Sequence, residues 1–173
     1  MQNLIIFRHT ALVILLALSV SGPLAAEPGM NNERLGAIIK RIDENSEGKP
    51  GYWRAVVGGR AFIVITDEKA DRMRVISPIA KADDLDEKLM FRMLQANFDT
   101  ALDARYSIAK GVLWSLYLHP LSALSDRQFL TGLGQVVNLA TSFGSTFSSG
   151  GLSFGGGDSN KLIQDLLDRG LSI

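Results

Sequence analysis

The stretch Tyr52-Trp53-Arg54-Ala55-Val56-Val57-Gly58-Gly59-Arg60-Ala61-Phe62-Ile63-Val64-Ile65-Thr66 decides how this chain folds. Two runs rich in β-branched and aromatic residues flank a Gly-Gly pair that tolerates the positive φ of a tight turn, which predicts a β-hairpin. A two-residue turn puts Trp53, Ala55, Val57, Phe62 and Val64 on one face. A third strand over residues 72–76 follows the polar turn 67–71. Its expected phase sets Met73 and Val75 with Val56, Ile63 and Ile65, and Arg72 and Arg74 with Trp53. Both faces are then apolar, so one packs on helices and the other also needs a cover. Aromatic and arginine residues are enriched where proteins meet partners. Trp53, Phe62, Val64, Arg72 and Arg74 are therefore the candidate partner-binding residues. The competing expectation is that the chain covers this surface itself, with its second helix or with residues 161–169.

Working outward, Leu35, Ile38, Ile39 and Ile42 recur at helical spacing behind a cap at Asn31 or Asn32, and Asn45, Ser46, Gly48, Pro50 and Gly51 end that helix. Beyond Pro78, Asp84 and Glu87 have capping-box spacing, and Leu85, Leu89, Met90, Met93 and Leu94 stripe a second helix to about residue 96. Leu102, Ala104, Tyr106 and Ile108 alternate with polar residues. After the turn Ala109-Lys110-Gly111, Val112, Trp114, Leu116 and Leu118 share a face until His119-Pro120 closes this second hairpin. Ser125 and Gln128 open a third helix striped by Phe129, Leu133, Val136, Val137, Ala140 and Phe143. The order α-βββ-α-ββ-α predicts an α+β fold over residues 27–143, a single antiparallel sheet with helices packed on a face.

The two ends read differently. Arg8, the apolar run of residues 11–20, the breakers Ser21-Gly22-Pro23 and the small residues Ala25-Ala26 make the three-part pattern of a cleavable secretory signal over residues 1–26. The run is about ten residues, whereas a membrane span takes about 20. A periplasmic or secreted protein with no stable membrane anchor after cleavage is expected, an uncleaved anchor being the alternative. Residues 144–157 are mostly Gly and Ser and read as a linker; residues 158–173 hold a short amphipathic helix with Leu162, Ile163, Leu166 and Leu167 that needs a surface to lie on.

Little in the composition points to bond-making chemistry. The chain has 173 residues and no cysteine, which excludes disulfides, thiolate metal sites and a Cys nucleophile. Lys+Arg and Asp+Glu both total 18, and removing Arg8 leaves a net of −1, so no polycationic surface for nucleic acid is implied. After processing His119 is the remaining histidine, with no G-x-S-x-G serine to activate. Asp83, Asp84, Asp86 and Glu87 cluster where a helix start wants acids. Gly155-Gly156-Gly157 with Lys161 lacks the order and the preceding strand of a phosphate loop. No catalytic residue, metal or cofactor is expected.

The runs Leu89-Met90-Phe91-Arg92-Met93-Leu94-Gln95-Ala96-Asn97-Phe98, Ala104-Arg105-Tyr106-Ser107-Ile108, Leu113-Trp114-Ser115-Leu116-Tyr117-Leu118 and Pro120-Leu121-Ser122-Ala123-Leu124, with the element order, resemble the domain shared by type III secretion chaperones of the Tir-chaperone (CesT-like) group and YbjN-like proteins. The resemblance covers about residues 30–143. It implies a non-enzymatic domain that binds a peptide or protein segment, often as a homodimer, through sheet and helix surfaces. The chain departs from the secretion chaperones in carrying an export signal and in being near neutral. The expectation is thus an exported relative that binds a protein partner. The alternatives are a small-ligand carrier or enzyme with a cleft assembled from distant residues, and a self-associating protein whose glycine-rich tail mediates assembly.

Overall fold

The computed structural model describes residues 29–99, 101–143 and 159–171. The signal over residues 1–26 and the linker over residues 144–157 lie outside the described residues. In chain order the elements are α1 (Asn32–Ile42), β1 (Glu47–Lys49), β2 (Tyr52–Val57), β3 (Arg60–Asp67), β4 (Arg72–Lys81), a 3₁₀ turn (Ala82–Asp84), α2 (Glu87–Asp99), β5 (Arg105–Ala109), β6 (Val112–His119), α3 (Asp126–Thr141) and α4 (Ser159–Leu171). The strands form one antiparallel sheet in the order β1-β2-β3-β4-β6-β5.

Local chemistry explains most boundaries. Gly58 and Gly59 both take positive φ, 58° and 75°, which is the type I′ hairpin their sequence calls for. Lys110 and Gly111 repeat it at 52° and 72°. The side chain of Asn31 caps α1 by accepting from the Arg34 amide at 2.8 Å. Ser125 and Gln128 close the expected capping box on α3. In α2, Asp86, not Asp84, supplies the cap, accepting from the Leu89 amide at 2.7 Å, because Asp84 is taken up in the 3₁₀ turn before it.

All four helices lie on one face of the sheet. Trp53, Ala55, Val57, Phe62, Val64, Met73, Val75 and Tyr117 form a core with Leu35, Ile38 and Ile39 of α1, Phe129, Leu133 and Val136 of α3, and Leu166 and Leu167 of α4. At the β5 end, Met93 and Ala96 of α2 join Tyr106 and Leu113 on the same side. Helix α3 presses close to the sheet: a Cβ on Gly132 would sit 2.5 Å from the Tyr117 ring. Two small polar residues, Ser77 and Ser115, are fully buried beneath the helices. They donate to the Ala61 carbonyl at 2.8 Å and the Val136 carbonyl at 2.7 Å, so neither is left unpaired. The buried Gln135 accepts from the Asp103 and Ala104 amides and holds the entry to β5.

Helix α4 is part of this core. Gly134 of α3 and Gly170 of α4 allow close approach, each lacking a Cβ that would fall 2.5 Å from Ile163 or Leu130. At the far end α1 and α4 clasp each other: Arg41 donates to the Gly170 carbonyl at 3.0 and 2.8 Å, and Arg169 donates to the Ile42 carbonyl at 3.2 Å. Each helix thus satisfies a C-terminal carbonyl of the other with a guanidinium, where the helix dipole favours a cation.

Three expectations are corrected. The residues Glu47–Lys49, read as a loop, add an edge strand against β2, made possible by Gly48, where a Cβ would lie 2.3 Å from the Tyr52 carbonyl oxygen. Strand β4 continues past residue 76 to Lys81, and a bulge between Pro78 and Ala80 accommodates the proline. The phase of β4 is also the reverse of that expected. Asp67 pairs with Arg72 and Val64 with Val75, so Met73 and Val75 join Trp53 in the core while Arg72 and Arg74 emerge on the opposite side.

Candidate functional site

The face of the sheet away from the helices is bare among the described residues, yet it is apolar. Strand register arranges it in rows across the sheet. One row runs Tyr52, Ile65, Arg74, Leu118; the next runs Arg54, Ile63, Ile76, Leu116, Arg105; Pro78 and Trp114 pair in a third, beside Val56 and Ala61. Tyr52, Val56 and Leu118 are 40%, 52% and 56% exposed, values proper to surface polar groups and carried here by large apolar ones. A shallow groove of about 480 Å³ over the third row is lined by Arg54, Val56, Ala61, Ile63, Pro78 and Trp114, with Asp43 and Glu47 at its rim.

Cations border the apolar rows. Lys49, Arg54, Arg72, Arg74, Lys81 and Arg105 point to this side against Glu47 and Asp67. Arg105 is turned onto its own loop, donating to the carbonyls of Ala101, Leu102 and Ala104. Asp67 is engaged with the Lys69 and Ala70 amides, both at 3.0 Å.

The candidate residues from the sequence do not form one surface. Trp53, Phe62 and Val64 are core residues at 8%, 0% and 0% exposure, beneath α1, α3 and α4, and cannot meet a partner. Arg72 and Arg74 are exposed on the other face. The reversed phase of β4 is the reason the five do not meet. The sequence set Val56, Ile63 and Ile65 on a second apolar face without naming it as the site; what it missed is that Tyr52, Arg54, Ile76 and Leu118 join them there. The competing expectation holds on the Trp53 side, where α4 joins α1 and α3 over Trp53, Phe62 and Val64, while α2 packs at the β5 end of the same side; among the described residues no helix lies over the Tyr52 side.

A second apolar surface lies on α2. It buries Met93 and Ala96, whereas Phe91, Leu94 and Phe98 are 61%, 67% and 83% exposed.

Several groups able to do chemistry are held by structural bonds. The His119 ring bonds the Pro120 carbonyl at 2.7 Å and stacks on Tyr117 at 6.0 Å. Asp43 accepts from the Asn45 and Val56 amides. Asp71, at positive φ, accepts from the Ser122 amide at 2.7 Å and from its hydroxyl at 3.0 Å, and these bonds hold its carboxyl below the usual range. Burial pushes the Tyr106 phenol up, and its hydroxyl donates to the Leu139 carbonyl at 3.2 Å. Burial, reinforced by Asp103, raises Tyr117. Among the described residues no three His, Cys, Asp or Glu side chains are grouped to hold a metal ion, and no helix is long and apolar enough to cross a membrane.

No protein-family model and no curated protein matches the chain. Solved structures similar in shape include the HopA1–SchA chaperone–effector complex, with a TM-score of 0.48 and 12% identity over 65% of this chain and 94% of that one. They also include the ExsC–ExsE complex, with a TM-score of 0.50 and 10% identity over 70% of this chain and 100% of that one. At such identity the likeness is one of fold, and the fold is the secretion-chaperone-like α+β architecture expected from the order of elements.

Proposed function

We propose that this is a non-enzymatic, chaperone-like protein that holds a segment of another protein, works in the periplasm or beyond after losing residues 1–26, and pairs with a second copy through α2. The observation that carries the reading is the apolar sheet face that, among the described residues, no helix covers. Soluble monomers seldom leave such a patch open unless it meets something. The groove on that face is lined chiefly by apolar side chains, and the Asp43 carboxylate at its rim is taken up by two backbone amides, which fits contact. ExsC, similar in fold, is seen in complex with ExsE, which supports a protein as the partner. The exposed Phe91, Leu94 and Phe98 on one helix support pairing of α2 with its copy.

Site-specific photocross-linking in cells tests the sheet face. A benzophenone side chain at Leu118 or Val56 forms a discrete protein adduct, and the same group at Arg127, exposed on the helical side, does not. Equal yields at the three positions, or none at any, remove the proposal. Export has its own check: the mature N-terminus is Glu27, and a purified protein that begins at Met1 contradicts it.

A further inference from the structure

Building on the reading that the bare sheet face holds a protein segment, we infer that the segment is an amphipathic α-helix whose apolar stripe is bordered by acidic residues. The backbone argument comes first. The amides and carbonyls of β3 and β4, the central strands of this face, are used in pairing on both sides, so nothing approaching from above can add to the ladder there. A segment buried on this face must satisfy its own backbone, and a helix does so.

Spacing and charge then agree. Ile63 and Ile65 lie on β3, with Arg54 across from Ile63 on β2 and Arg74 across from Ile65 on β4. Two strand spacings separate the arginine-bearing strands by about 10 Å, close to the diameter of a helix. A helix lying along β3 sets its apolar stripe on the isoleucines and its two borders beside the arginines. The chain carries no net charge overall, yet this face carries Lys49, Arg54, Arg72, Arg74 and Lys81 against Glu47, Asp67 and, at the groove rim, Asp43. Among the described residues neither the Arg54 nor the Arg74 side chain has a hydrogen-bond or ion-pair partner. Other occupants fit less well. A second copy placed face to face opposes arginine to arginine. The chain's own residues 1–28 and 144–158 hold one acid each, Glu27 and Asp158, and cannot border a stripe on both sides.

The test uses the full chain and two labelled synthetic helices of roughly 18 residues, about five turns, with the same leucine stripe bordered by glutamate in one and lysine in the other. Anisotropy titration is expected to show the glutamate helix binding about tenfold more tightly, with a preference that weakens as salt rises. Arg54→Glu/Arg74→Glu reverses that preference, and Tyr52→Asp/Leu118→Asp abolishes binding of both helices. Circular dichroism checks that each variant keeps its fold. If the two helices bind equally and Tyr52→Asp/Leu118→Asp abolishes both, the face takes segments but the acidic requirement is wrong. If the glutamate helix binds and neither double variant alters it, the inference and the surface reading fall together. If neither helix binds while phosphatidylglycerol vesicles do, the face meets a membrane and the inference is overturned.

Discussion

The two faces of the sheet use much the same residue types and meet opposite fates. On β6 the side under the helices reads Leu113, Ser115, Tyr117, His119, and the bare side reads Val112, Trp114, Leu116, Leu118. The bare side is the more hydrophobic, yet the helices take the other. What selects the core face is fit. Ser115 and Ser77 are small enough to lie under a helix and satisfy themselves on carbonyls, and Gly132 leaves room for the Tyr117 ring. Close packing outweighs the summed hydropathy of a strand. Among the described residues a hydrophobic face is left over once the core is filled, and it is this face that the proposed partner would meet.

This contrast can be broken by mutation, beginning with the largest effect. Phe62→Ala, fully buried beneath the helices, is expected to cost about 3–5 kcal/mol in urea unfolding, since it removes a large side chain from a packed core. Leu166→Ala should cost about 2–5 kcal/mol, because α4 belongs to that core; an unchanged midpoint makes the helix an ornament. Tyr106→Phe should cost about 1 kcal/mol through its lost bond to the Leu139 carbonyl. The folded-state pKa of Tyr106 lies above the unfolded value of 10.0, so the unfolded chain gives up that proton first. Stability is then full below pH 10 and falls as pH rises above it, and the variant should show a shallower alkaline decline. Leu118→Asp, at 56% exposure on the bare side, should stay within about 0.5 kcal/mol of the parent while losing photocross-linked partner. A cost matching that of Phe62→Ala would mean the two faces are not different in kind.

Much of the architecture can be read from local chemistry: the paired glycines at residues 58 and 59, the Asn31 cap and the Ser125–Gln128 box all do what their residue types require. The bare apolar face, where binding is proposed, cannot be read that way. Its location turns on the phase of β4, and that phase is set by four residues, Glu68 to Asp71, between Asp67 and its partner Arg72. One residue more or fewer exchanges every side chain between faces. The first hairpin has a glycine signature to fix its parity, whereas this turn is shaped by remote bonds, the Asp71 carboxylate holding the Ser122 amide and hydroxyl 51 residues away. Likewise β1 is two charged residues around Gly48, and its pairing rests on that glycine. The arginines were visible as candidates, but their neighbours followed from register alone.

The clasp between α1 and α4 sets a schedule for biosynthesis. Arg41 finds its acceptor 129 residues downstream, and at translation speeds of about 5–20 residues per second that partner emerges some 6 to 26 s later, by rough estimate. Until then the first helix lacks the carbonyl that its guanidinium holds in the finished fold. A chain stopped short of α4 therefore lacks Leu166 and Leu167 over Trp53, Phe62 and Val64, and its interior stays open on that side.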